Sequence, residues 1–278
     1  MTVHAKTDYS MPIVNAPGDV KYVQFLNVPF ACLDAHGSAA HIAARPPGAP
    51  FEYVVTPNAS NLTRLNELKD PLFIEIYRNA WLHTLDGSVP KVLARALFGL
   101  DIPLAPGSDI TSELFEHFIT PDDAITLIGG SDELKRRLVE KYGLKQVNMH
   151  VPPMGFIDNP AEVQACVDFV LAHPARYVFF IVGSPRSEYV TRLVYRSGRG
   201  VGTGLCVGSS LHFLTGLTKR ASETYRRFGL EWLHRLLENP RSHASRVFVD
   251  SMPIFLTAAK ARLNPAAYGM SGPPSARR

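Results

Sequence analysis

The chain has 278 residues, of which 46% are hydrophobic and 19% are charged, a composition typical of globular rather than disordered or fibrous proteins. Its net charge is +4, and its three cysteines, Cys32, Cys166 and Cys206, are far apart and form no C-x-x-C pair, which argues against a disulfide framework or a cysteine zinc site. The length predicts one large domain or two closely joined lobes.

The first twenty residues contain no apolar segment of the kind found in a secretory signal, so we expect a flexible tail on a cytoplasmic protein. The longest apolar runs, such as residues 177–182, are far shorter than the ~20 residues that a membrane-spanning helix needs. After the tail, residues 22–30 predict one strand. Residues 34–44, rich in alanine, predict a helix that ends at a proline-rich segment.

The stretch of residues 51–58, FEYVVTPN, predicts a buried strand that stops at Pro57. In an open α/β sheet, ligands bind beyond the carboxyl ends of the strands, so Thr56 and Asn58 are candidate site residues. The alternative is structural, because Thr-Pro-Asn also fits a turn in which Asn58 caps the following helix.

Residues 61–79 show a helical rhythm that is interrupted at Asp70-Pro71. The short run 80–85 then meets Asp86-Gly87. Asp-Gly is a common tight-turn pair, so Asp86 has a structural interpretation. A carboxylate beyond a strand end can equally serve as a general base, so Asp86 is also a candidate catalytic residue.

The middle of the chain predicts an alternation of strands and helices. The predicted helices are residues 89–98, 109–118, 132–142 and 161–172, and the predicted strands are residues 124–130, 147–156 and 177–182. Gly129 and Gly130 end the first of these strands, and paired glycines there can let backbone approach an anion. Without a complete G-x-G-x-x-G pattern they are a weak nucleotide signal.

The strand of residues 177–182 opens onto Gly183-Ser184-Pro185-Arg186-Ser187-Glu188, which combines a small turn, a cation and a carboxylate. Such a segment suits the phosphates and ribose of a nucleotide. The glycines of residues 200–214 miss the dinucleotide fingerprint and fit close packing. The chain has neither G-x-S-x-G nor H-E-x-x-H, the signatures of elbow hydrolases and zincins.

Basic residues are concentrated between residues 184 and 246, which points to a phosphate-bearing partner or to a solvated basic face. Residues 225–238 predict an amphipathic helix, which packs on the core or lies on a bilayer as an interfacial anchor. The proline- and arginine-rich residues 264–278 predict a disordered end.

Several of these motifs, in this order, resemble those of the WecG/TagA/CpsF family of bacterial glycosyltransferases over about residues 22–248. The motifs that carry the resemblance are Val54-Val55-Thr56-Pro57-Asn58, Asp86-Gly87, Gly107 with Asp109, Leu127-Ile128-Gly129-Gly130, Pro152-Pro153-Met154-Gly155-Phe156, Gly183 to Glu188, and Lys219-Arg220-Ala221 leading to Gly229-Leu230-Glu231-Trp232-Leu233. The Thr-Pro-Asn and Gly-Leu-Glu-Trp-Leu blocks are specific, whereas the glycine pairs are not.

The resemblance implies an α/β fold: a Rossmann-like parallel-sheet body of two lobes sharing one cleft, with a C-terminal helical appendage that docks on the membrane. The domain boundaries we expect are a tail at 1–20, the body at 21–224, the appendage at 225–262 and a disordered tail at 263–278. The implied reaction moves a sugar, with inversion, from a UDP-sugar to a polyprenyl-diphosphate-linked sugar at the cytoplasmic membrane face, with no metal and no cofactor.

Carried over by position, Asp86 would be the base, with Thr56 beside it as a second catalytic residue. The expected substrate-binding residues are Asn58, Gly129, Gly130, Gly155, Phe156, Gly183, Ser184, Pro185, Arg186 and Glu188, and the expected diphosphate-binding residues are Arg235, Arg241 and Arg246. Where the family usually has Pro-Lys-Gln-Glu, this chain has Pro185-Arg186-Ser187-Glu188. Ser187 stands where the family has Gln, so this chain lacks a side-chain amide that could bind the donor sugar.

Two other functions are alternatives to the transferase. A nucleotide-dependent oxidoreductase requires G-x-G-x-x-G after the first strand and an acidic residue beyond the second, and the chain has neither. A non-catalytic protein that binds nucleic acid or anionic lipid would use the basic segment, with steeply salt-dependent binding. The transferase is preferred, with no nucleic-acid partner expected and with the formation of a homo-oligomer left open.

Overall fold

The computed structural model describes residues 20–68, 70–218 and 252–270. Within these residues the chain forms a two-stranded antiparallel hairpin and a six-stranded sheet. The eight strands are β1 (Tyr22–Phe25), β2 (Val28–Ala31), β3 (Glu52–Val55), β4 (Leu82–His83), β5 (Ile125–Ile128), β6 (Val147–His150), β7 (Tyr177–Phe180) and β8 (Thr203–Cys206).

The six-stranded sheet has the order β4-β3-β8-β7-β5-β6, and every pair of neighbours is parallel. The expected α/β class with a parallel sheet is therefore confirmed. The two halves of the chain contribute strands to one continuous sheet, so the two expected lobes are not separate sheets.

The helices lie between the strands. The α-helices among the described residues are α1 (Ala35–Ala43), α2 (Ala59–Thr63), α3 (Pro71–Asn79), α4 (Ser88–Phe98), α5 (Gly107–Glu113), α6 (Asp132–Tyr142), α7 (Pro160–Ala172), α8 (Arg186–Arg196), α9 (Ser210–Leu214) and α10 (Ile254–Leu263). Two π-helical segments, Arg64–Leu68 and Leu114–Phe118, continue α2 and α5, and two 3₁₀ turns are Phe156–Asp158 and Pro265–Tyr268.

Apolar side chains cover both faces of the sheet. On one face, α2, α3, α4, α7, α8 and α10 contribute buried residues to a first core, and on the other α1, α5, α6 and α9 contribute to a second. The central strands β5 and β7 are buried along their whole length, as expected for a parallel sheet covered on both sides. Each fully buried Phe, Leu or Ile contributes about 1.5–3 kcal/mol to this packing.

Local sequence explains where several helices begin. The side chains of Asp34, Asn58, Asp70, Ser131 and Asn159 each accept a backbone N–H in the first turn of the following helix. Pro71 occupies the first turn of α3, where its missing N–H has no cost. The predicted break at Asp70-Pro71 and the helix predicted at 132–142 are confirmed.

The strand predicted over residues 22–30 is wrong as a single element, because the chain turns at Leu26 and Asn27 to form the β1-β2 hairpin. Both turn residues have positive φ, 49° and 63°. The side chain of Asn66 bridges this turn: its Nδ2 donates to the carbonyl oxygen of Leu26 and its Oδ1 accepts from Nδ2 of Asn27. Asn66, which is distant in the sequence, therefore stabilises this turn, in which no glycine occupies the two positive-φ positions.

Strand β8 was not predicted, because its sequence is rich in glycine. A methyl group added at Gly204 would lie 2.5 Å from Cζ of Phe51, and one at Gly200 would lie 2.9 Å from Cβ of Phe51. Gly202 has a φ of +88°, and a methyl group there would collide with the carbonyl oxygen of Ala175. These glycines serve close packing, the interpretation that the sequence favoured over a nucleotide loop.

The C-terminal part of the described chain packs on the body. Helix α10 contacts α2 and α4, and its Ile254, Ala258 and Ala261 are buried in the first core. Thr257 Oγ1 and Lys260 Nζ both donate to the carboxylate of Glu67, at 2.9 and 2.7 Å.

Residues 263–270 correct the expected disordered tail. They include the 3₁₀ turn Pro265–Tyr268, the buried Met270 and a hydrogen bond of 2.8 Å from the amide of Asn27 to the carbonyl oxygen of Tyr268. The predicted amphipathic helix at 225–238 lies outside the described residues. In the part of the chain that the structure describes, no helix combines the length and the apolar character needed to cross a membrane.

Candidate active site

The carboxyl ends of the six parallel strands meet at one edge of the sheet, and the candidate residues follow four of these ends. Thr56 directly follows β3, Gly129 follows β5 and Gly183 lies three residues beyond β7. Asp86 lies three residues beyond β4, the neighbour of β3. The topology therefore brings together the residues that the sequence placed after strand ends.

Thr56 lies between β8 and the start of α5. Its Oγ1 donates to the carbonyl oxygen of Cys206 at 3.4 Å. A methyl group added at Gly107, the first residue of α5, would lie 3.1 Å from Oγ1 of Thr56 and 3.2 Å from Cα of Val207. Gly107 thus permits the start of α5 to approach Thr56 closely.

The segment before α5 is fixed to the end of β4. Thr84 Oγ1 donates to the carbonyl oxygen of Ala105 at 2.9 Å, and the amide of Ala105 donates to the carbonyl oxygen of Leu85 at 3.0 Å. Because Gly107 follows two residues later, these bonds place the N-terminus of α5 beside the loop that carries Asp86.

Asp86 is half-buried and belongs to a loop that is tied to the Thr-Pro-Asn segment. Its amide nitrogen donates to the carbonyl oxygen of Pro57 at 3.1 Å. Gly87, the next residue, has a φ of +91°, a conformation that glycine adopts without strain. Gly87 is the N-cap residue of α4, so the loop that holds Asp86 beside the end of β3 leads directly into this helix.

Asn58 has the capping role that the sequence left as an alternative. Its exposed side chain accepts from the amides of Ser60 and Asn61, at 3.0 and 3.3 Å. Asn61 completes a capping box, because its Oδ1 accepts from the amide of Asn58 at 3.1 Å. The Asn58 side chain is therefore accessible to solvent at the carboxyl edge of the sheet.

The segment Gly183 to Glu188 turns from β7 into α8. The guanidinium of Arg186 folds back over Gly183, since a methyl group added at this glycine would lie 3.2 Å from Nη2. Helix α8 begins at Arg186, after the cis peptide bond between Ser184 and Pro185, and its N-cap residue is Pro185, whose side chain makes no capping hydrogen bond. The start of an eleven-residue helix is thus directed at the strand-end edge with a cation beside it.

A chain of polar side chains links this segment to α2. Asn61 Nδ2 donates to Oγ of Ser184 at 2.9 Å, and the Ser184 hydroxyl in turn bonds the carboxylate of Glu188. Asn61 and Glu188 are 6% and 4% exposed, so these hydrogen bonds connect the exposed Ser184 to two buried side chains. It joins the loop after β3 to the loop after β7, which lies two strands away in the sheet.

Burial raises the pKa of the Glu188 carboxyl, because desolvation penalises the charged form. The hydrogen bond from Ser184 and the positive charge of Arg64 act in the opposite direction. The Oε2 atom of Glu188 has no hydrogen-bond partner among the described residues. The buried carboxylate of Glu188 therefore orients the hydroxyl of the exposed Ser184 through a hydrogen bond.

Gly129 and Gly130 bring the end of β5 close to the end of β7. Both have φ near +98°. A methyl group at Gly129 would lie 2.9 Å from Cγ1 of Val182, and one at Gly130 would lie 3.2 Å from Cδ1 of Ile181. The paired glycines thus have a packing role in addition to the ligand role expected from the sequence.

Gly155 and Phe156 differ from each other in their surroundings. Gly155, with a φ of +79°, precedes a 3₁₀ turn, and a methyl group added there would meet nothing within 4 Å. Phe156 is 4% exposed, and its ring packs in the first core. Gly155 remains open to a ligand, whereas the Phe156 side chain faces the interior.

The expected diphosphate-binding residues Arg235, Arg241 and Arg246 lie outside the described residues. Three residues of the site were not among the sequence candidates: Asn61, Arg64 and Gly107, although Gly107 was part of a recognised motif. Asn61 and Arg64 gave no signal beyond helical spacing, because their role depends on Ser184 and Glu188, which are distant in the sequence.

Comparison with known families agrees with this geometry. The model of the glycosyl transferase WecG/TagA/CpsF family matches residues 23–268, which include every strand-end loop described above. The matched region also contains α10 and the whole 3₁₀ turn Pro265–Tyr268. The chain belongs to the WecG/TagA/CpsF family of glycosyltransferases.

Proposed function

We propose that this protein transfers a sugar, with inversion, from a UDP-sugar to a polyprenyl-diphosphate-linked saccharide in the biosynthesis of a cell-surface polysaccharide. The supporting observation is the hydrogen bond from the amide of Asp86 to the carbonyl oxygen of Pro57, which joins the loops after β3 and β4. It keeps the loop that carries Asp86 next to the loop that carries Thr56, at the sheet edge where α/β proteins bind ligands.

In this proposal Asp86 is the general base. A single-displacement transfer needs one base, which removes the proton from the acceptor hydroxyl as that oxygen attacks the anomeric carbon of the donor. The C–O bond to UDP breaks on the opposite face of the sugar, and the proton moves to the Asp86 carboxylate. Thr56 lines the same pocket, with its hydroxyl positioned by Cys206 and Gly107.

The donor occupies the neighbouring part of the edge, along Gly129-Gly130 and Gly183 to Glu188. Arg186 and the start of α8 offer positive charge and N–H groups to the UDP diphosphate. Asn58 and Gly155 contribute further polar and backbone contacts, and Phe156 supports them from the core. Such preorganised donors stabilise the departing UDP without a metal ion.

The acceptor approaches from the membrane. We assign its diphosphate to Arg235, Arg241 and Arg246 and expect residues 225–262 to contact the inner face of the plasma membrane. Basic residues near an anionic bilayer contribute about 1 kcal/mol each to such binding.

The test is a UDP-release assay with UDP-hexoses, UDP-N-acetylhexosamines and UDP-uronic acids, each with and without a polyprenyl-diphosphate-sugar in liposomes. We expect one donor to release UDP, and only when the acceptor is present. The anomeric configuration of the product, read by NMR, tests inversion. Addition of EDTA should leave the transfer rate unchanged.

The outcome that would overturn the proposal is the absence of UDP release across the whole panel by a protein that is folded and bound to the liposomes. Release at the same rate without acceptor would indicate a hydrolase. Steeply salt-dependent binding to DNA, without transfer, would favour the binding-protein alternative.

A further inference from the structure

Three metal-ligating side chains converge on the surface of the second core, away from the strand-end edge. They are His36 in the first turn of α1, Glu113 at the end of α5, and His117 in the π-helical segment that follows. Their ligand atoms all lie within 4.8 Å of one another. None of the three has a part in the proposed transfer.

The two imidazoles meet at one carboxylate oxygen. Nδ1 of His36 lies 2.7 Å from Oε2 of Glu113, and Nε2 of His117 lies 3.6 Å from the same atom. The planes of the two rings are inclined at 71°, with centroids 5.6 Å apart. Two imidazole nitrogens and one carboxylate oxygen therefore lie close enough together to bind a single cation.

The backbone that carries these ligands is fixed. Glu113 and His117 are separated by four residues on one helical surface. Helix α1 packs on α5 through Ala39 and Ile42, which are buried against Ile110 and its neighbours. The side chains themselves are free to adjust, since His36 is 61% exposed and His117 is 52% exposed.

The chemistry of these ligands selects the cation. Two imidazole nitrogens and one carboxylate oxygen suit Zn²⁺, which bonds nitrogen at about 2.0–2.1 Å and carboxylate oxygen at about 2.0–2.2 Å. Mg²⁺ and Ca²⁺ prefer oxygen ligands only. Three protein ligands leave a fourth position open, and the exposure of the site makes it accessible to solvent.

We propose that His36, Glu113 and His117 form a Zn²⁺ site that links α1 to the end of α5. The N-terminal residue of α5, Gly107, is in contact with Thr56. A helix rises about 1.5 Å per residue, so Glu113 lies roughly 9 Å along the axis from Gly107. The cation is therefore too far from Thr56 to join the chemistry, and it stabilises the helix that borders the candidate active site.

The experiment uses the full chain, freed of any affinity tag and stripped of metal by dialysis against EDTA. Titration with ZnCl₂ in a calorimeter should give one site, and thermal melts should show a rise in Tm that saturates at one equivalent. MgCl₂ at the same concentrations should leave Tm unchanged. CoCl₂ should give a visible absorption band from bound Co²⁺.

His36→Gln and His117→Gln should each weaken Zn²⁺ binding by at least the 10- to 100-fold that is typical even of outer ligand partners, and should remove the Co²⁺ band. Glu113→Gln provides a third variant if either histidine variant is unfolded by circular dichroism. The matched control is His150→Gln, which removes a histidine outside the cluster and should keep wild-type binding. Zn²⁺ affinity that persists unchanged in the cluster variants, or no binding by the wild type, would overturn the proposal.

Discussion

The amide of Asp86 donates a hydrogen bond of 3.1 Å to the carbonyl oxygen of Pro57. This bond joins two loops that follow neighbouring parallel strands, and it involves only the backbone of Asp86. The carboxylate is therefore held at the sheet edge by main-chain geometry, and its side chain is not needed to keep the loop in place through this bond.

Replacement of Asp86 by Asn should consequently separate structure from chemistry. We expect Asp86→Asn to keep the fold and the donor KM while lowering kcat by about 10²- to 10⁴-fold, because an amide cannot accept the proton. The measurement is UDP release under saturating acceptor, with circular dichroism as the check on folding. Asp101→Asn, the same change at an exposed aspartate of the loop before α5, should keep wild-type kcat. Wild-type turnover by Asp86→Asn would remove Asp86 from the mechanism.

The bond between Asn61 and Ser184 should govern donor affinity. Ser184→Ala removes the hydroxyl that accepts from Asn61 and bonds Glu188, which leaves two buried polar groups without that partner. The expected cost is about 1–3 kcal/mol, expressed as a higher KM for the UDP-sugar with little change in kcat.

Asn61→Asp tests the same link from its other end. The substitution keeps the oxygen that accepts from the amide of Asn58 but loses the donor to Ser184. We expect KM for the donor to rise in this variant as well. Unchanged KM in both variants, measured by initial-rate kinetics, would show that the link is structural only.

Gly107 should tolerate a side chain poorly, because a methyl group there would lie 3.1 Å from Oγ1 of Thr56 and 3.2 Å from Cα of Val207, so that both would have to move. Gly107→Ala should therefore displace Thr56 and cost about 1–3 kcal/mol of unfolding free energy, with a matching loss of transfer. The control is Gly37→Ala in the first turn of α1, where the three nearest atoms are side-chain atoms of Asp34 and Leu33, the closest at 3.2 Å. Gly37→Ala should be neutral or stabilising by up to about 1 kcal/mol. Denaturant unfolding of both variants makes the comparison, and an equally stable, active Gly107→Ala protein would contradict it.

The sequence was sufficient where structure depends on local signals. Caps such as Asp34 and Ser131, the Asp70-Pro71 break and the apolar run of β7 each specify an element through neighbouring residues. The strand-end position of Thr56 followed from the same information, since a parallel sheet places all carboxyl ends at one edge.

The sequence was insufficient where a contact joins distant segments. Asn66 holds the turn at Leu26 and Asn27, and Phe51 occupies the space beside Gly204 that allows β8 to lie in the sheet. Neither relationship leaves a periodic pattern. The link from Asn61 to Ser184 spans 123 residues and was equally hidden. These features depend on tertiary contacts, which the local propensity of the sequence does not reveal.

His83 makes the fold sensitive to acid. It is buried in β4, and its Nε2 lies 2.6 Å from the carbonyl oxygen of Tyr77, which accepts a hydrogen bond from the neutral ring. Burial lowers the pKa of His83 to about 4, because the charged imidazole would be desolvated. In the unfolded chain a histidine titrates near 6.5. The unfolded state therefore binds more protons between these values, and stability is lost as the pH falls from about 6.5 towards 4.

Between pH 7 and pH 5 this difference should lower the free energy of unfolding by about 2 kcal/mol. His83→Gln keeps an N–H donor near Tyr77 but does not titrate, so its unfolding free energy should fall by about 2 kcal/mol less than that of the wild type over this range. Urea titrations at several pH values measure both slopes, and His150→Gln controls for the removal of a histidine elsewhere in the fold. Parallel pH profiles for the wild type and His83→Gln would show that His83 gains its proton in the folded state as readily as in the unfolded chain.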